Sequence, residues 1–382
     1  MEFDLTAEQR ERQNAAIEFA RAELNDRVLE RDAEMTFSRA GWQKCADFGV
    51  LRLPIPAEHG GSGADPITTI AVMEGLGYGC RDQGLLFSIN AHLWTNSIPI
   101  LKFGTPEQCA KYLPRLCDGS LIGANGASEP GAGSDIFSMR TRAVRDGESY
   151  VLNGSKIWVT NAPVADLFVV YATLDPDLGV LGICGFIVEK GTPGLSVGKQ
   201  LAKMGLRTAA MAEMFFKDCR VPVTARLGRE GFGAEVFNCS MAWERASILA
   251  TCLGTMRRQL ERCIDYARTR RQFGQPIGKF QSLANRIVDM QLRYETARLL
   301  LYKVGWLMQI GKSTDLDAAM AKLYVSESFL SSSLDAVQVH GAAGYMTELD
   351  FERELRDAVG SRLYSGTSEI QRNIIAKQLL RV

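Results

Sequence analysis

The residue pattern changes texture twice, near residue 122 and near residue 233, and these two changes limit what the chain can fold into. From Leu5 to about Leu116 apolar residues return every three or four positions, as at Ile17, Ala20, Leu24 and Val28, which is the spacing of an amphipathic helix. A loop at Gly60, Gly61 and Gly63 interrupts this zone, and Asp65-Pro66 opens the next helix. From about Ile122 to Val223 β-branched and aromatic runs alternate with turn residues. Residues 140–144, 150–152, 157–160, 167–172 and 183–188 read as strands, and Asp146-Gly147 and Asn153-Gly154 predict hairpin turns between the first three. Beyond Gly233 the helical period returns, with helices expected over 236–270, 281–310, 315–339 and 367–380. Helices as long as the first three pack along their length in a bundle. The expected fold is mainly α with a central β domain, divided as 1–121, 122–232 and 233–382. Strands do not alternate with helices, which argues against a nicotinamide-binding Rossmann domain.

Charge and cysteine usage narrow the function classes. Lys and Arg together number 44 and so do Asp and Glu, so the chain lacks the net positive charge of a nucleic-acid coat or a polybasic membrane binder. The longest nearly apolar stretch, 178–188, is too short and glycine-rich to span a bilayer. An acidic, polar N-terminus carries no secretory signal, so a cytoplasmic location is expected. Nine cysteines without a Cys-x-x-Cys pair indicate neither a disulfide framework nor a zinc site, and the three histidines have no metal-ligand spacing. No metal is expected.

Five stretches could carry chemistry, and each has a plain structural explanation when read alone. Residues 127–135, Ala-Ser-Glu-Pro-Gly-Ala-Gly-Ser-Asp, offer close backbone approach and free amides, yet also read as a glycine-rich turn. Trp158, in Ile157-Trp158-Val159-Thr160-Asn161, ends a strand and reads first as core. Arg268, Arg270 and Arg271 suit a pyrophosphate by their fork geometry, but they also suit a helix C-terminus. Glu244, in Ala242-Trp243-Glu244-Arg245, precedes an apolar run, where a carboxylate is either paired or raised in pKa. Gly366-Thr367-Ser368-Glu369 is a loop-to-helix junction with an N-cap.

Taken in order, these stretches resemble the acyl-CoA dehydrogenase family of flavoenzymes from Phe3 to Leu380. The carriers are residues 128–135, Lys156 to Asn161, Arg270 with Gln272-Phe273-Gly274, Gln338 with Gly341 and Gly344, and Gly366 to Gln371. The resemblance implies an N-terminal helical domain, a small β-barrel domain and a C-terminal four-helix bundle, assembled as a homotetramer. It implies FAD, with Asn125, Ala127, Ser128, Ser134, Trp158 and Thr160 on the flavin side. Arg270, Gln272 and Phe273 would reach the cofactor from a neighbouring subunit, and Gln338, Gly341, Thr367 and Glu369 would complete the site. Ser134, Trp243, Arg245 and Ser365 would border the substrate.

Two departures sharpen this expectation. Most of the family places its catalytic Glu in the final loop, where this chain has Ser365. A minority, the isovaleryl-type enzymes, place it on the first long C-terminal helix, and Glu244-Arg245 resembles that arrangement, so Glu244 is expected to be the base. The family Asp that helps hold the CoA pantetheine is here Ala242. This change, with Arg81-Asp82 and residues 88–93, resembles a natural-product subgroup that oxidises acyl or aminoacyl groups, such as prolyl, on a carrier protein. The expected reaction is α,β-dehydrogenation of such a thioester, with electrons passing to an electron-transfer flavoprotein or dioxygen. The alternatives are a short- or branched-chain acyl-CoA dehydrogenase and a non-catalytic flavin-binding scaffold.

Overall fold

The structure, a computed structural model, describes residues 4–381. Its first part is helical: α1 (Ala7–Glu23), α2 (Val28–Glu34), α3 (Arg39–Phe48), α4 (Pro66–Gly79), α5 (Gln83–His92), α6 (Ile98–Phe103) and α7 (Pro106–Cys117). Local chemistry sets the starts. Thr6 with Gln9 and Thr105 with Gln108 form capping boxes, and the Asp65 carboxylate accepts from the Thr68 amide with Pro66 in the first turn. Helix α4 is buried around most of its circumference, which places it at the centre of the domain. Between α5 and α6 the helix widens into a π turn over Leu93–Ser97, a distortion often found at functional sites.

The middle part is one sheet built from β1 (Gly123–Gly126), β2 (Arg142–Asp146), β3 (Ser149–Thr160), β4 (Leu167–Thr173), β5 (Ile183–Glu189), β6 (Leu195–Val197), β7 (Met211–Pro222) and β8 (Arg226–Leu227). The strand order is β6-β7-β3-β2-β4-β5-β8, with β1 alongside β4. Asp146-Gly147 lies at the β2–β3 hairpin as expected, with Asp146 opposite Ser149. Asn153-Gly154 is not a turn, contrary to expectation. Strand β3 runs through it, and the register against β7 shifts between Leu152 and Gly154. Gly154 holds φ +146° there, and a Cβ would strike Thr141, so the glycine serves a bulge.

The last part holds α8 (Gly233–Ser247), α9 (Ala250–Thr269), the short hairpin β9 (Arg271–Gln272) and β10 (Gln275–Pro276), then α10 (Gln281–Gln309), α11 (Asp315–His340), α12 (Ala342–Tyr345), α13 (Phe351–Ser361) and α14 (Ser368–Leu380). The single helix expected over 236–270 is divided by a turn at Ile248-Leu249. The Thr251 hydroxyl donates to the Ile248 carbonyl at this division. Helix α9 then crosses α4 at very short range. A Cβ on Gly77 would lie 2.0 Å from the Thr251 carbonyl oxygen, and one on Gly254 would lie 2.0 Å from that of Glu74. Only glycine at both positions allows this approach. Beside it, the buried Glu74 carboxylate accepts from Gln13, Tyr294 and Tyr302, tying α1, α4 and α10 together.

A buried ion pair fixes the loop that leads into the sheet. Lys156 Nζ donates to Glu129 Oε1 at 2.8 Å and to the Ala127 carbonyl at 3.0 Å, while the Glu129 carboxylate also accepts from the Arg140 and Thr141 amides. Burial pushes the lysine down to about 8, against the pull of Glu129. Glu129→Gln leaves that amine without its counter-charge and is expected to cost about 3 kcal/mol. Thermal unfolding should show a lower midpoint, which Lys156→Met in the same chain largely restores; an unchanged single variant would contradict the assignment.

Candidate active site

Glu244 lies in the last turn of α8, 7% exposed, with Val236, Ser240, Met241 and Ala246 buried on the same helix. Burial among these residues pushes its carboxyl up to about 7. The opposing influences, in order, are a hydrogen bond from Ser365 and the charges of Arg245 and Lys322. Ser365 Oγ donates to Glu244 Oε1 at 2.8 Å. The residue that replaces the usual loop carboxylate is therefore the hydrogen-bond partner of the helix carboxylate. Arg245 does not pair directly with its neighbour. Its Nε donates to the Ser365 carbonyl at 3.3 Å, and Gln371 Nε2 donates to the same carbonyl at 3.1 Å.

Ser365 and Gly366 both have positive φ, +56° and +90°. A non-glycine residue in that region is held there by its surroundings, and here the Arg245 and Gln371 bonds hold it. Thr367 caps α14 by accepting from the Ile370 amide. Beside the carboxylate the walls are aromatic. Trp243 stacks on Trp94 of the π turn with centroids 6.0 Å apart, and Tyr364 packs against Phe87 at 4.7 Å. Ser240 Oγ donates to the Trp94 carbonyl, joining α8 to the same turn.

The β domain reaches this pocket through the π turn. Asn125 Nδ2 donates to the Thr95 carbonyl at 3.0 Å, and Asn161 Nδ2 bridges the carbonyls of Ser88 and Gly123. The expected flavin-side residues gather here. Ala127 is buried, Asn125, Ser128 and Thr160 are half-buried, and Ser134 is exposed. Trp158, at φ +56°, is 55% exposed and not core; the nearest atom to a Cβ placed on Gly133 belongs to its ring, at 3.9 Å. The 127–135 loop and the Trp158 strand end thus form one surface. An open aromatic face beside small residues and free hydroxyls fits a flat, hydrogen-bonding ring system, as FAD requires.

Arg270, Gln272 and Phe273 stand elsewhere, exposed on the β9–β10 hairpin, with Phe273 91% exposed. Gln338 and Gly341 share that end of the bundle, since Tyr266 of α9 stacks on His340 of α11 at 4.3 Å. Thr367 and Glu369 stay with Ser365 at the start of α14. One chain therefore gathers Glu244, Trp243, Arg245, Ser365, Thr367 and Glu369 in one region and leaves the hairpin group apart. Sequence reading overlooked Trp94, Tyr364 and Lys322. Lys322 was visible as a lone lysine in an alanine-rich helix; the other two had no local signal.

Residues 6–120, 124–219 and 231–380 match the N-terminal, middle and C-terminal domains of acyl-CoA dehydrogenase, and the chain belongs to that family. Among its relatives is an L-prolyl-[peptidyl-carrier protein] dehydrogenase of Pseudomonas fluorescens, 46% identical over 90% of each chain. Among solved structures, the prolyl acyl carrier protein oxidase AnaB superposes with TM-score 0.97 at 50% identity, covering 98% of this chain and all of that one. PigA with FAD and proline gives 0.98 at 42% identity, with full coverage of both.

The Ser365 hydrogen bond favours the ionised form of Glu244, so removing it raises the pKa. A bond to a charged acceptor is worth about 1.5 kcal/mol, about one pH unit. Ser365→Ala is expected to move the rising limb of the pH profile of flavin reduction upward by about that much. An unmoved midpoint would show that the contact does not tune Glu244.

Proposed function

We propose that the chain oxidises an aminoacyl thioester held on a carrier protein, prolyl being the favoured group, across its α,β bond. The buried Glu244 carboxylate, raised to about 7 and aligned by Ser365 where no carboxylate stands at position 365, supports the dehydrogenation, and the likeness to an L-prolyl-[peptidyl-carrier protein] dehydrogenase supports the substrate class. A base with a pKa near neutrality is ionised enough to act and basic enough to take a proton from a weak carbon acid. Its apolar, aromatic surroundings exclude water, which strengthens each polar contact to the thioester. Glu244 removes the α-proton at one of its carboxylate oxygens. Trp243, Arg245, Ser365 and Ser134 border the acyl group, with Arg245 also holding the Ser365 loop in place.

FAD, when bound, supplies the acceptor for the β-hydride. Asn125, Ala127, Ser128, Ser134, Trp158 and Thr160 would hold its ring side, with Thr367 and Glu369 nearby. Arg270, Gln272, Phe273, Gln338 and Gly341 lie at the other end of the bundle. We therefore assign them to the cofactor of a neighbouring subunit, in a homotetramer. Sixteen helical steps along α11 take the chain from Lys322, near Glu244, to Gln338, a distance of about 24 Å. We take 1–121, 122–232 and 233–382 as the domains that frame this site. Electrons would pass on to an electron-transfer flavoprotein or to dioxygen. Among the described residues no helix is long and apolar enough to cross a membrane, and we place the protein in the cytoplasm.

Anaerobic titration of the purified flavoprotein separates the substrate classes. Prolyl-loaded carrier protein is expected to bleach the visible flavin band while butyryl-CoA leaves it. Bleaching by butyryl-CoA alone would return the protein to ordinary acyl-CoA oxidation, and a protein that takes up no FAD would remove the reading altogether.

A further inference from the structure

Lys322 lies on α11 with its side chain fully buried, and its Nζ has no hydrogen-bond partner among the described residues. Its helix neighbours Ala318, Ala319, Ala321 and Val325 are buried too, so the amine does not snorkel to solvent. An ammonium removed from water is retained only when something compensates it. The ring centroid of Tyr364 is 6.0 Å from Nζ, and the next residue, Ser365, is the donor to Glu244.

Two carboxylates support the charge of Lys322, Glu244 and Glu327, and of the two only Glu244 lacks a salt bridge to another cation among the described residues. Helix α8 presents Glu244 and Arg245, and α9 presents the Cys252 thiol. Burial raises Cys252 to about 12 and holds Tyr364 well above its ordinary value, so both are neutral at physiological pH. Asp357 of α13, which neighbours Tyr364, accepts from the Leu206 amide and is not among the charges that act on Lys322. Glu327, on α11 itself, is engaged by Arg362 at 2.9 Å and Ser368 at 2.6 Å. The charges of α10 meet α11 towards its ends, where Lys303 pairs with Asp317 and Arg286 and Arg293 pair with Asp335. On α14, Glu369 and Arg372 pair at the surface.

We propose that Lys322 is a positioning residue of the active site: its buried, unpaired ammonium is the fixed positive charge against which the Glu244 carboxylate is held ionised. The proposal rests on Glu244 being the base. Lys322 opposes the effect of burial on Glu244, and Glu244 in turn supports the charge of Lys322, which burial and Arg245 push down to about 8. The two titrate as a pair, so a proton arriving on Glu244 weakens the hold of Lys322 on its own. Arg245 adds a second cation acting on Glu244, while its guanidinium donates to the Ser365 carbonyl.

The test is the carboxylic acid stretch of Glu244 in infrared difference spectra of the holoenzyme, identified by its loss in Glu244→Gln and titrated without substrate. Lys322→Met should raise the midpoint by about one unit, a tenfold gain in proton affinity, with FAD still bound. It should also move the rising limb of the pH profile of flavin reduction upward by the same amount. A structural role alone would lower the unfolding temperature and leave both midpoints in place, which would overturn the proposal. Lys322→Gln, which keeps a polar head group, substitutes if the methionine variant does not fold. Because the infrared titration needs no substrate, its failure is distinct from a failure of the substrate assignment.

Discussion

Keeping water away from one carboxylate is the constraint around which the C-terminal half is arranged. Glu244 sits at the end of α8, where the helix gives way to a turn before α9, and the aromatic pairs Trp94–Trp243 and Phe87–Tyr364 flank it. A buried carboxylate without compensation would simply be protonated. Here a hydroxyl on a left-handed loop residue and two cations counter the burial, and the outcome lies close to neutrality. The loop pays for its backbone strain with the Arg245 and Gln371 bonds to a single carbonyl. Removing either would loosen the donor that aligns Glu244.

The rest of the chain holds that pocket against the surface formed by the 127–135 loop and Trp158. The Gly77–Gly254 crossing sets α4 against α9 at a distance no side chain permits, and the Glu74 cluster fastens α10 beside it. On the other side, Asn125 and Asn161 secure the sheet to the helix that carries the π turn. The Glu129–Lys156 pair joins the glycine-rich loop to β3, the strand that carries Trp158. Two stretches that look like separate motifs in the sequence are therefore halves of one surface. Apart from the glycine crossing, these connections are specific polar contacts, which fix orientation more sharply than apolar packing does.

Much of this was legible in the residues and some was not, for physical reasons. The long helices and the caps at Asp65 and Thr367 follow from periodicity and local hydrogen bonding, and the structure has them. Asn153-Gly154 misled because a glycine with positive φ serves a bulge as readily as a turn, and only the partner strand decides which. The turn at Ile248-Leu249 was hidden because both residues sit within an otherwise continuous helical pattern. Helix α13 went unread although its apolar face is well defined, because Glu352, Arg353, Glu354, Arg356 and Asp357 obscure it. The apolar run after Glu244 signalled a burdened carboxylate. Its partner Ser365 is 121 residues away and no local rule connects them.

The account stands most directly on Glu244, and one variant interrogates it. Glu244→Gln keeps the shape and the contact with Ser365 while removing the base. Mixed anaerobically with prolyl-loaded carrier protein, the variant is expected to retain its FAD and hold the flavin band undiminished, whereas the unaltered protein loses it. Bleaching of the variant at the rate of the unaltered protein would contradict the account and place the base elsewhere.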